Sequence, residues 1–191
     1  TLADKENKLV KLLAPPFNDK KYYGYISNYP EGVRENGGQY THSVAWFIKA
    51  LAKFDMEKAI EILNLINPIN ISKTSLKYKN EPFVLSGDVY MTGEGGWSWY
   101  SGSSSWMYKV ILNDILGINF NNNKLIIKPN KLLNDYKIQL KFDNFSANIK
   151  VATADNDSFI VDNKPKDFTD NLYYVDLADN QHYEIIINVK N

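Results

Sequence analysis

The feature of this sequence that most constrains its fold is a change of residue pattern near Gly117. Before this point, apolar residues recur at three- and four-residue intervals in several segments, which is typical of amphipathic helices. From Ile118 onward, short alternating or β-branched runs such as KLIIKPN, YKIQLKF and HYEIIINVK are separated by turn-forming residues. We therefore predict an α+β multidomain chain, with a helical domain over residues 1–117 and an all-β, sandwich-like domain over residues 118–191.

Four helices are predicted in the first domain. An apolar stripe over residues 2–13 predicts an opening helix that ends at the first proline pair. The second and third helices are predicted to follow Thr41 and Asp55, which are both residue types that cap helices. The fourth is predicted to open after Ser103 or Ser104. Residues 67–103, which precede that start, show little periodicity and predict a long functional connection.

Composition and charge exclude several classes of function. Lysine plus arginine and aspartate plus glutamate number 22 each, so no net field attracts nucleic acid or an anionic membrane. The absence of cysteine excludes disulfides and thiolate metal sites. We see no signal peptide and no apolar run of the roughly 20 residues that a membrane span needs, and we expect a cytoplasmic location. The chain begins without methionine, inside the predicted opening helix, so we expect further residues upstream.

Residues 31–42, EGVRENGGQYTH, carry more polar chemistry than a connection between two helices requires. A turn and a cap account for the glycines and the threonine. Arg34, Glu35, Asn36, Gln39 and His42 remain unexplained, and this excess predicts a ligand site.

Two predicted helix starts are suited to an anion, because helix N-termini leave unpaired backbone N–H groups and carry a partial positive charge. One start lies at His42, and the other is the serine-rich run from Ser101 to Ser105, where Gly102 would let a ligand approach the backbone. Serines before a helix are most often only caps, and a lone histidine there is more often structural. The coincidence of both starts with oversized loops favours an anion site.

Aromatic residues cluster beside the second of these starts. If GGWSWYSG is extended, Trp97 and Trp99 share a face, because side chains alternate along a strand. Flat rings suit the faces of sugars, so the pair could line a sugar pocket, but it could equally pack in a core.

Four carboxylates in the loops are candidates for a general acid, and their spacing singles out none of them. They are Glu35, Glu81, Asp88 and Glu94. For Glu81 and Asp88, a role as a buried hydrogen-bonding anchor is an equally good interpretation.

Several stretches occur together in an order that resembles one enzyme family. They are APPF, GYISNYPEGVRENGGQYTHSVAWF, NPIN, YKNEPFVLSGDVY, GGWSWYSGSSSWMY and ILGI. Their order and spacing resemble the C-terminal part of the inverting glycoside phosphorylases of glycoside hydrolase family 94. GVRENGGQYTH, EPFVLSGDVY and GGWSWYSGS are most similar to the β-1,2-glucan branch, the cyclic β-1,2-glucan synthases and 1,2-β-oligoglucan phosphorylases. Cellobiose phosphorylases tend to place a glutamine near the position of Gly87, which argues against cellobiose.

The resemblance implies a fold, a reaction and a set of site residues. The fold is the last helices of an (α/α)6 barrel followed by a β-sandwich-like domain. The reaction cleaves a β-glucosidic bond with inorganic phosphate and gives α-glucose 1-phosphate with inversion. His42, Ser101 and Gly102 match phosphate-binding positions, although the family usually has threonine in place of Ser101. The residues expected around the sugar are Arg34, Glu35, Asn36, Gln39, Trp97 and Trp99.

The resemblance also implies that part of the site lies elsewhere. The family's general acid, an aspartate, and another phosphate-binding arginine belong to motifs upstream of the matching segment. We therefore expect no catalytic residue in this chain and no activity without the remainder of the parent enzyme. The expected partners are a β-glucan or β-glucoside and phosphate, without cofactor, metal or nucleic acid, and a homodimer stays open. The competing hypothesis is a noncatalytic carbohydrate-binding or scaffolding module.

Overall fold

The computed structural model describes residues 2–19, 21–99, 101–133 and 135–190, without the side chain of Ser101. The chain divides into two compact units, Thr1–Val110 and Ile111–Asn191. Helices lie mainly in the first unit and long strands in the second, so the chain is α+β as predicted. The domain boundary at residue 117 stays a prediction. Within the described ranges, no helix is both long enough and apolar enough to cross a membrane.

The first residues form a β-hairpin, and the helix predicted over residues 2–13 is wrong. Strands β1 (Ala3–Asp4) and β2 (Leu9–Val10) pair in antiparallel fashion. The Asp4 carboxylate accepts hydrogen bonds from the backbone and side-chain amides of Asn7 at 3.0 and 3.2 Å, and Lys8 has a φ of 55°. This turn chemistry outweighs the helical spacing of the leucines, because Asp and Asn readily close a turn.

Helices α1 (Thr41–Leu51) and α2 (Met56–Ile66) pack against each other. Asp55 caps α2 as predicted, and its carboxylate accepts from the Lys58 backbone N–H at 2.9 Å. The prediction that Thr41 caps α1 is wrong: Tyr40 is at the cap and Thr41 is the first helical residue, with its hydroxyl accepting from the Gln39 side chain. The Thr41 N–H donates to the Gly87 carbonyl at 2.9 Å. The buried face of the pair consists of Val44, Ala45, Ile48, Ala59, Ile62, Leu63 and Ile66.

The connection after α2 contains short elements. They are α3 (Pro68–Ile71), α4 (Ser75–Tyr78), β4 (Asp88–Val89) and β5 (Gly95–Gly96). With β3 (Gln39–Tyr40), the last two form a three-stranded antiparallel sheet in the order β3-β4-β5. Helix α5 (Ser101–Lys109) begins earlier than predicted and is followed by a π-helical segment, Val110–Ile115.

The second unit consists of two sheets around one apolar core. A three-stranded sheet has the order β12-β7-β6, and a five-stranded sheet has the order β11-β10-β13-β9-β8. Both sheets contribute to one hydrophobic cluster, with Ile127 and Tyr173 from the first and Ile149 and Ile187 from the second. The strands are β6 (Ile118–Asn121), β7 (Lys124–Ile127), β8 (Tyr136–Lys141), β9 (Phe145–Ala154), β10 (Ser158–Val161), β11 (Lys164–Pro165), β12 (Tyr173–Asp176) and β13 (Gln181–Lys190).

Candidate functional site

The small sheet β3-β4-β5 brings three separate parts of the first unit together. Tyr40 lies opposite Asp88, and Asp88 lies opposite Gly96 in the antiparallel registers. The Gly87 backbone N–H donates to the Trp97 carbonyl at 3.0 Å, which extends the pairing to the tryptophan segment. As a result, the start of α1, the buried Asp88 and the residues after β5 are held at one place.

Backbone hydrogen bonds fold the loop before β3 into a compact turn. The Gly32 N–H donates to the Asn36 carbonyl at 2.7 Å, and the Gly38 N–H donates to the Arg34 carbonyl at 2.9 Å. A Cβ on Gly38 would lie 2.9 Å from both the backbone nitrogen and the carbonyl oxygen of Arg34. Glycine at position 38 is therefore a requirement of this turn, since the backbone it meets cannot move aside.

Asn36 is a scaffold of this loop. Its side-chain oxygen accepts from the Phe17 N–H at 2.7 Å, and its amide nitrogen donates to the carbonyls of Phe17 and Tyr29 at 3.0 and 2.9 Å. The residue is buried, and these bonds fix the two flanking segments. The predicted sugar contact of Asn36 stays a prediction.

Gln39 has a similar scaffolding position in β3. Its side-chain oxygen accepts from the Val10 N–H of the opening hairpin at 2.9 Å, and its amide nitrogen donates to the Thr41 hydroxyl at 3.1 Å. The side chain is buried. Gln39 thus ties the hairpin to the start of α1, and its predicted contact with sugar is likewise untested.

Arg34 is fixed by an ion pair and two aromatic rings. Its Nε lies 3.1 Å from Oδ2 of Asp88. Its guanidinium carbon lies 4.8 Å from the centre of the Trp97 ring and 5.4 Å from the centre of the Tyr29 ring, which are cation–π distances. Both Arg34 and Trp97 have left-handed backbones, with φ of 49° and 54°. Non-glycine residues rarely adopt this conformation, and such strain is concentrated at functional sites.

Two carboxyl groups face the one guanidinium. Asp88 is 1% exposed, and Oε2 of Glu35 lies 4.0 Å from Nε of Arg34. Burial raises the pKa of Asp88 and the nearby Glu35 raises it further, while Arg34 opposes both effects. Arg34 Nε, Glu35 Oε2 and Asp88 Oδ2 are buried without an aligned hydrogen-bond partner among the described residues. Opposite charges therefore lie close together here, and these three atoms are held by charge and not by a hydrogen bond of good geometry.

His42 and Gly102 lie against each other at the start of α5. A Cβ on Gly102 would lie 2.6 Å from His42 Nε2. The imidazole stacks on Tyr40 with ring centres 5.5 Å apart and meets Trp46 edge to face at 6.3 Å. Its Nδ1 is buried and makes no hydrogen bond to the described part of the chain. The side chain of Ser101, the third predicted phosphate ligand, lies outside the described residues.

The prediction that Trp97 and Trp99 share the face of a strand is wrong, because β5 ends at Gly96 and both residues have positive φ. Trp97 meets Arg34, whereas the Trp99 indole N–H donates to Oε1 of Glu81 at 2.8 Å. The rings are 48% and 74% exposed, so neither packs in a core in this unit. Glu81 itself is exposed, and hydrogen bonds from its own backbone N–H and from Trp99 lower its pKa.

Tyr29 was not predicted from sequence, and Asp88 was predicted only as one of four carboxylates that could be a general acid or a buried anchor; the structure buries it. Asp88 is an acid within the apolar run FVLSGDVY, which was the one available signal. Tyr29 gave no signal, because its position over Arg34 depends on the fold of the loop. In the part of the chain that is described, no cluster of three or more His, Asp or Glu side chains could hold a metal ion.

Comparison with known proteins identifies the family of this unit. The model of the glycosyl hydrolase 94 superfamily catalytic domain matches residues 2–117, which is more than half of the chain. The chain belongs to the glycosyl hydrolase 94 superfamily. The match covers the loop with Arg34, the sheet with Asp88 and the start of α5 with Gly102, so the whole cluster lies in the segment typical of this superfamily.

Relatives within the glycosyl hydrolase 94 superfamily are much longer proteins. Cyclic beta-(1,2)-glucan synthase NdvB of Rhizobium meliloti is 40% identical over 137 residues, 67% of this chain and 5% of its own length. The 1,2-beta-oligoglucan phosphorylase of Listeria innocua is 27% identical over 165 residues, 73% of this chain and 15% of its own length. N,N'-diacetylchitobiose phosphorylase of Vibrio furnissii is 28% identical over 112 residues, 56% of this chain and 14% of its own length. The chain therefore spans a small part of each of these relatives.

Proposed function

We propose that this chain supplies phosphate- and sugar-binding residues to an inverting glycoside phosphorylase that acts on β-1,2-glucan. The observation that carries the proposal is the close packing of the His42 imidazole on Gly102, the second residue of α5, within the segment that matches the catalytic domain. Two independent parts of the sequence thus converge on the helix start that suits an anion.

The chemistry of that helix start fits inorganic phosphate. The first N–H groups of α5 have no partner within the helix, and Gly102 leaves its backbone uncovered by a side chain of its own. An imidazole beside these N–H groups adds a donor, and the hydroxyl of Ser101 would add another. Phosphate held here would attack the anomeric carbon directly, and an acid elsewhere in the full-length protein would protonate the leaving oxygen.

The choice of β-1,2-glucan has its support in the relatives. One relative is named as a cyclic beta-(1,2)-glucan synthase and another as a 1,2-beta-oligoglucan phosphorylase. In this proposal the first unit is the last part of an (α/α)6 barrel, and the second is a sandwich-like domain of the same enzyme. The general acid, and with it any turnover, then depends on the remainder of the protein, which we place in the cytoplasm.

The test is a product assay on the full-length protein that contains this chain. The protein is incubated with linear β-1,2-gluco-oligosaccharides, with and without inorganic phosphate, and α-glucose 1-phosphate is measured. Phosphate-dependent product is the expected result. Product from cellobiose or laminaribiose alone would overturn the choice of β-1,2-glucan. If no β-glucoside gives product and the protein binds saccharide without phosphate, the proposed phosphorylase function is wrong and the noncatalytic carbohydrate-binding module is favoured.

A further inference from the structure

Asp88 is a buried acid to which the proposed function gives no role. It lies in β4, the central strand of the small sheet, and its side chain is 2% exposed. A carboxylate out of contact with water is strongly unfavourable unless it is paired. Its ion pair with Arg34, at 3.1 Å, is therefore a strong restraint on where the guanidinium can lie.

The other contacts of Arg34 make the restraint specific. The rings of Trp97 and Tyr29 both lie within cation–π distance of the guanidinium carbon. Arg34 and Trp97, the two residues in contact, both have left-handed backbones. Arginine loses side-chain entropy when it is ordered, so a guanidinium that is already fixed binds a ligand at a smaller entropic cost.

The charges around Arg34 indicate which ligand it meets. One guanidinium faces the two carboxyl groups of Asp88 and Glu35, so the cluster offers phosphate no excess of positive charge. Carboxylates and a guanidinium together instead suit hydroxyl groups, which both donate and accept hydrogen bonds. The half-exposed Trp97 ring beside them provides the flat apolar surface on which a sugar ring can stack.

We propose that Asp88 is a positioning residue that holds Arg34 against Trp97 so that the pair can bind a glucosyl unit. This proposal rests on the proposed function for the identity of the saccharide. It assigns the two ligands to different parts of the unit, with phosphate at His42 and Gly102 and sugar at Arg34 and Trp97. Asp88 acts only through Arg34 and touches neither ligand.

The test compares Asp88→Asn with the wild type in the full-length protein. Asparagine keeps the size of the side chain and removes its charge. Binding of a linear β-1,2-gluco-oligosaccharide is measured by calorimetry without phosphate, and the KM for inorganic phosphate is measured in the assay above. We expect the Kd for the saccharide to rise about tenfold and the KM for phosphate to change less than about twofold.

A double-mutant cycle separates positioning from a general structural role. In an Arg34→Met background, Asp88→Asn should change the Kd for the saccharide by less than about twofold, because the residue through which it acts is gone. Full additivity of the two substitutions would overturn the proposal, and so would equal losses in saccharide and phosphate binding. The matched control is Asp176→Asn, which removes an exposed ion pair with Lys124 in the second unit and should change neither constant.

A second variant keeps the proposal testable if Asp88→Asn does not fold. Arg34→Lys retains a positive charge beside Asp88 but removes the planar group that lies on Trp97, and should weaken saccharide binding alone. If the wild type binds the saccharide without forming α-glucose 1-phosphate, the proposed phosphorylase function is wrong. The Kd values of Asp88→Asn and the wild type then still decide the positioning role of Asp88. A phosphorolytic wild type whose Asp88→Asn variant binds the saccharide normally would overturn this proposal alone. A wild type that binds no saccharide would overturn both.

Discussion

The imidazole of His42 occupies the space that a side chain on residue 102 would need. A Cβ on Gly102 would lie 2.6 Å from Nε2 and 2.9 Å from Cε1 of His42, well inside van der Waals contact. The ring is also held by Tyr40 and Trp46, so it cannot move away from α5 without disturbing an aromatic cluster. The N-terminal turn of α5 and the histidine ring therefore form one continuous surface.

Gly102→Ala should weaken phosphate binding through this contact. The new methyl group displaces the imidazole, and we expect the KM for phosphate to rise about tenfold in the full-length protein. Stability should change little, because alanine favours a helix over glycine by about 1 kcal/mol and offsets part of the strain. Tyr108→Phe, at an exposed position of the same helix, is the control. An unchanged KM for phosphate would show that His42 and Gly102 do not hold the anion.

His42→Ala should impair phosphate use far more than folding. The ring is only partly buried, so its removal leaves the core of the unit intact. We expect at least a tenfold rise in the KM for phosphate and a small decrease in the melting temperature. His182→Ala is a suitable control because His182 is the other of the two histidines and lies on the exposed face of β13. Equal losses of phosphate use and of stability would mean that His42 is structural.

Asn36→Ala should be strongly destabilising. The substitution leaves the Phe17 N–H and the carbonyls of Phe17 and Tyr29 without their partner, at a cost of about 2–4 kcal/mol. Urea unfolding followed by circular dichroism measures the loss. Asn64→Ala, at an exposed position of α2, should lie within about 0.5 kcal/mol of the wild type. A free energy of unfolding that is the same for both variants would contradict the scaffold role of Asn36.

Asp4 should make the opening hairpin sensitive to acid. Burial alone would raise its pKa, but hydrogen bonds from Asn7 and Lys11 outweigh burial and lower it from 3.8 to about 2. Because the folded state binds this proton less tightly than the unfolded state, the stabilisation is present above pH 3.8 and is lost as the pH falls toward 2.

Asp4→Asn should therefore be less stable than the wild type near neutral pH, with a difference that shrinks as the pH falls through this window. Urea unfolding at a series of pH values measures that difference. Glu6→Gln, an exposed acid in the same turn, is the control. A difference between Asp4→Asn and the wild type that does not depend on pH would refute the assignment.

Elements that depend on local periodicity were predictable from the sequence. The apolar stripes of α1 and α2 and the Asp55 cap agree with the structure, as do the runs KLIIKPN, YKIQLKF and HYEIIINVK, which contain or overlap β7, β8 and β13. The opening hairpin was not predictable in this way, because its leucines happen to recur at helical spacing while the turn at Asp4 and Asn7 decides the fold. The hydrogen bonds of the Asp4–Asn7 turn determine the local structure, and the helical spacing of the leucines does not.

The site was predictable in its residue types and not in its geometry. The excess of polar residues in EGVRENGGQYTH indicated a site, and Arg34 does lie in a charged cluster. The position of Trp97 over Arg34 depends on left-handed backbone conformations, which non-glycine residues adopt only when the surrounding fold imposes them. Asp88 joins the cluster through the register of β3 and β4, which is a pairing between residues far apart in sequence.

The strand order of the second unit sets when this unit can fold during protein synthesis. Strand β13 lies between β10 and β9 and pairs with β9 in parallel, so residues 36 positions apart must meet along its whole length. Strands β8 to β11 are synthesised before β13, so one edge of β9 and one edge of β10 have no partner until β13 has been made. Long-range pairing of this kind is slow, and unpaired edges bind other chains. We therefore expect nascent chains to be open to pairing with one another between the synthesis of β10 and that of β13, a stage at which a chaperone would protect them.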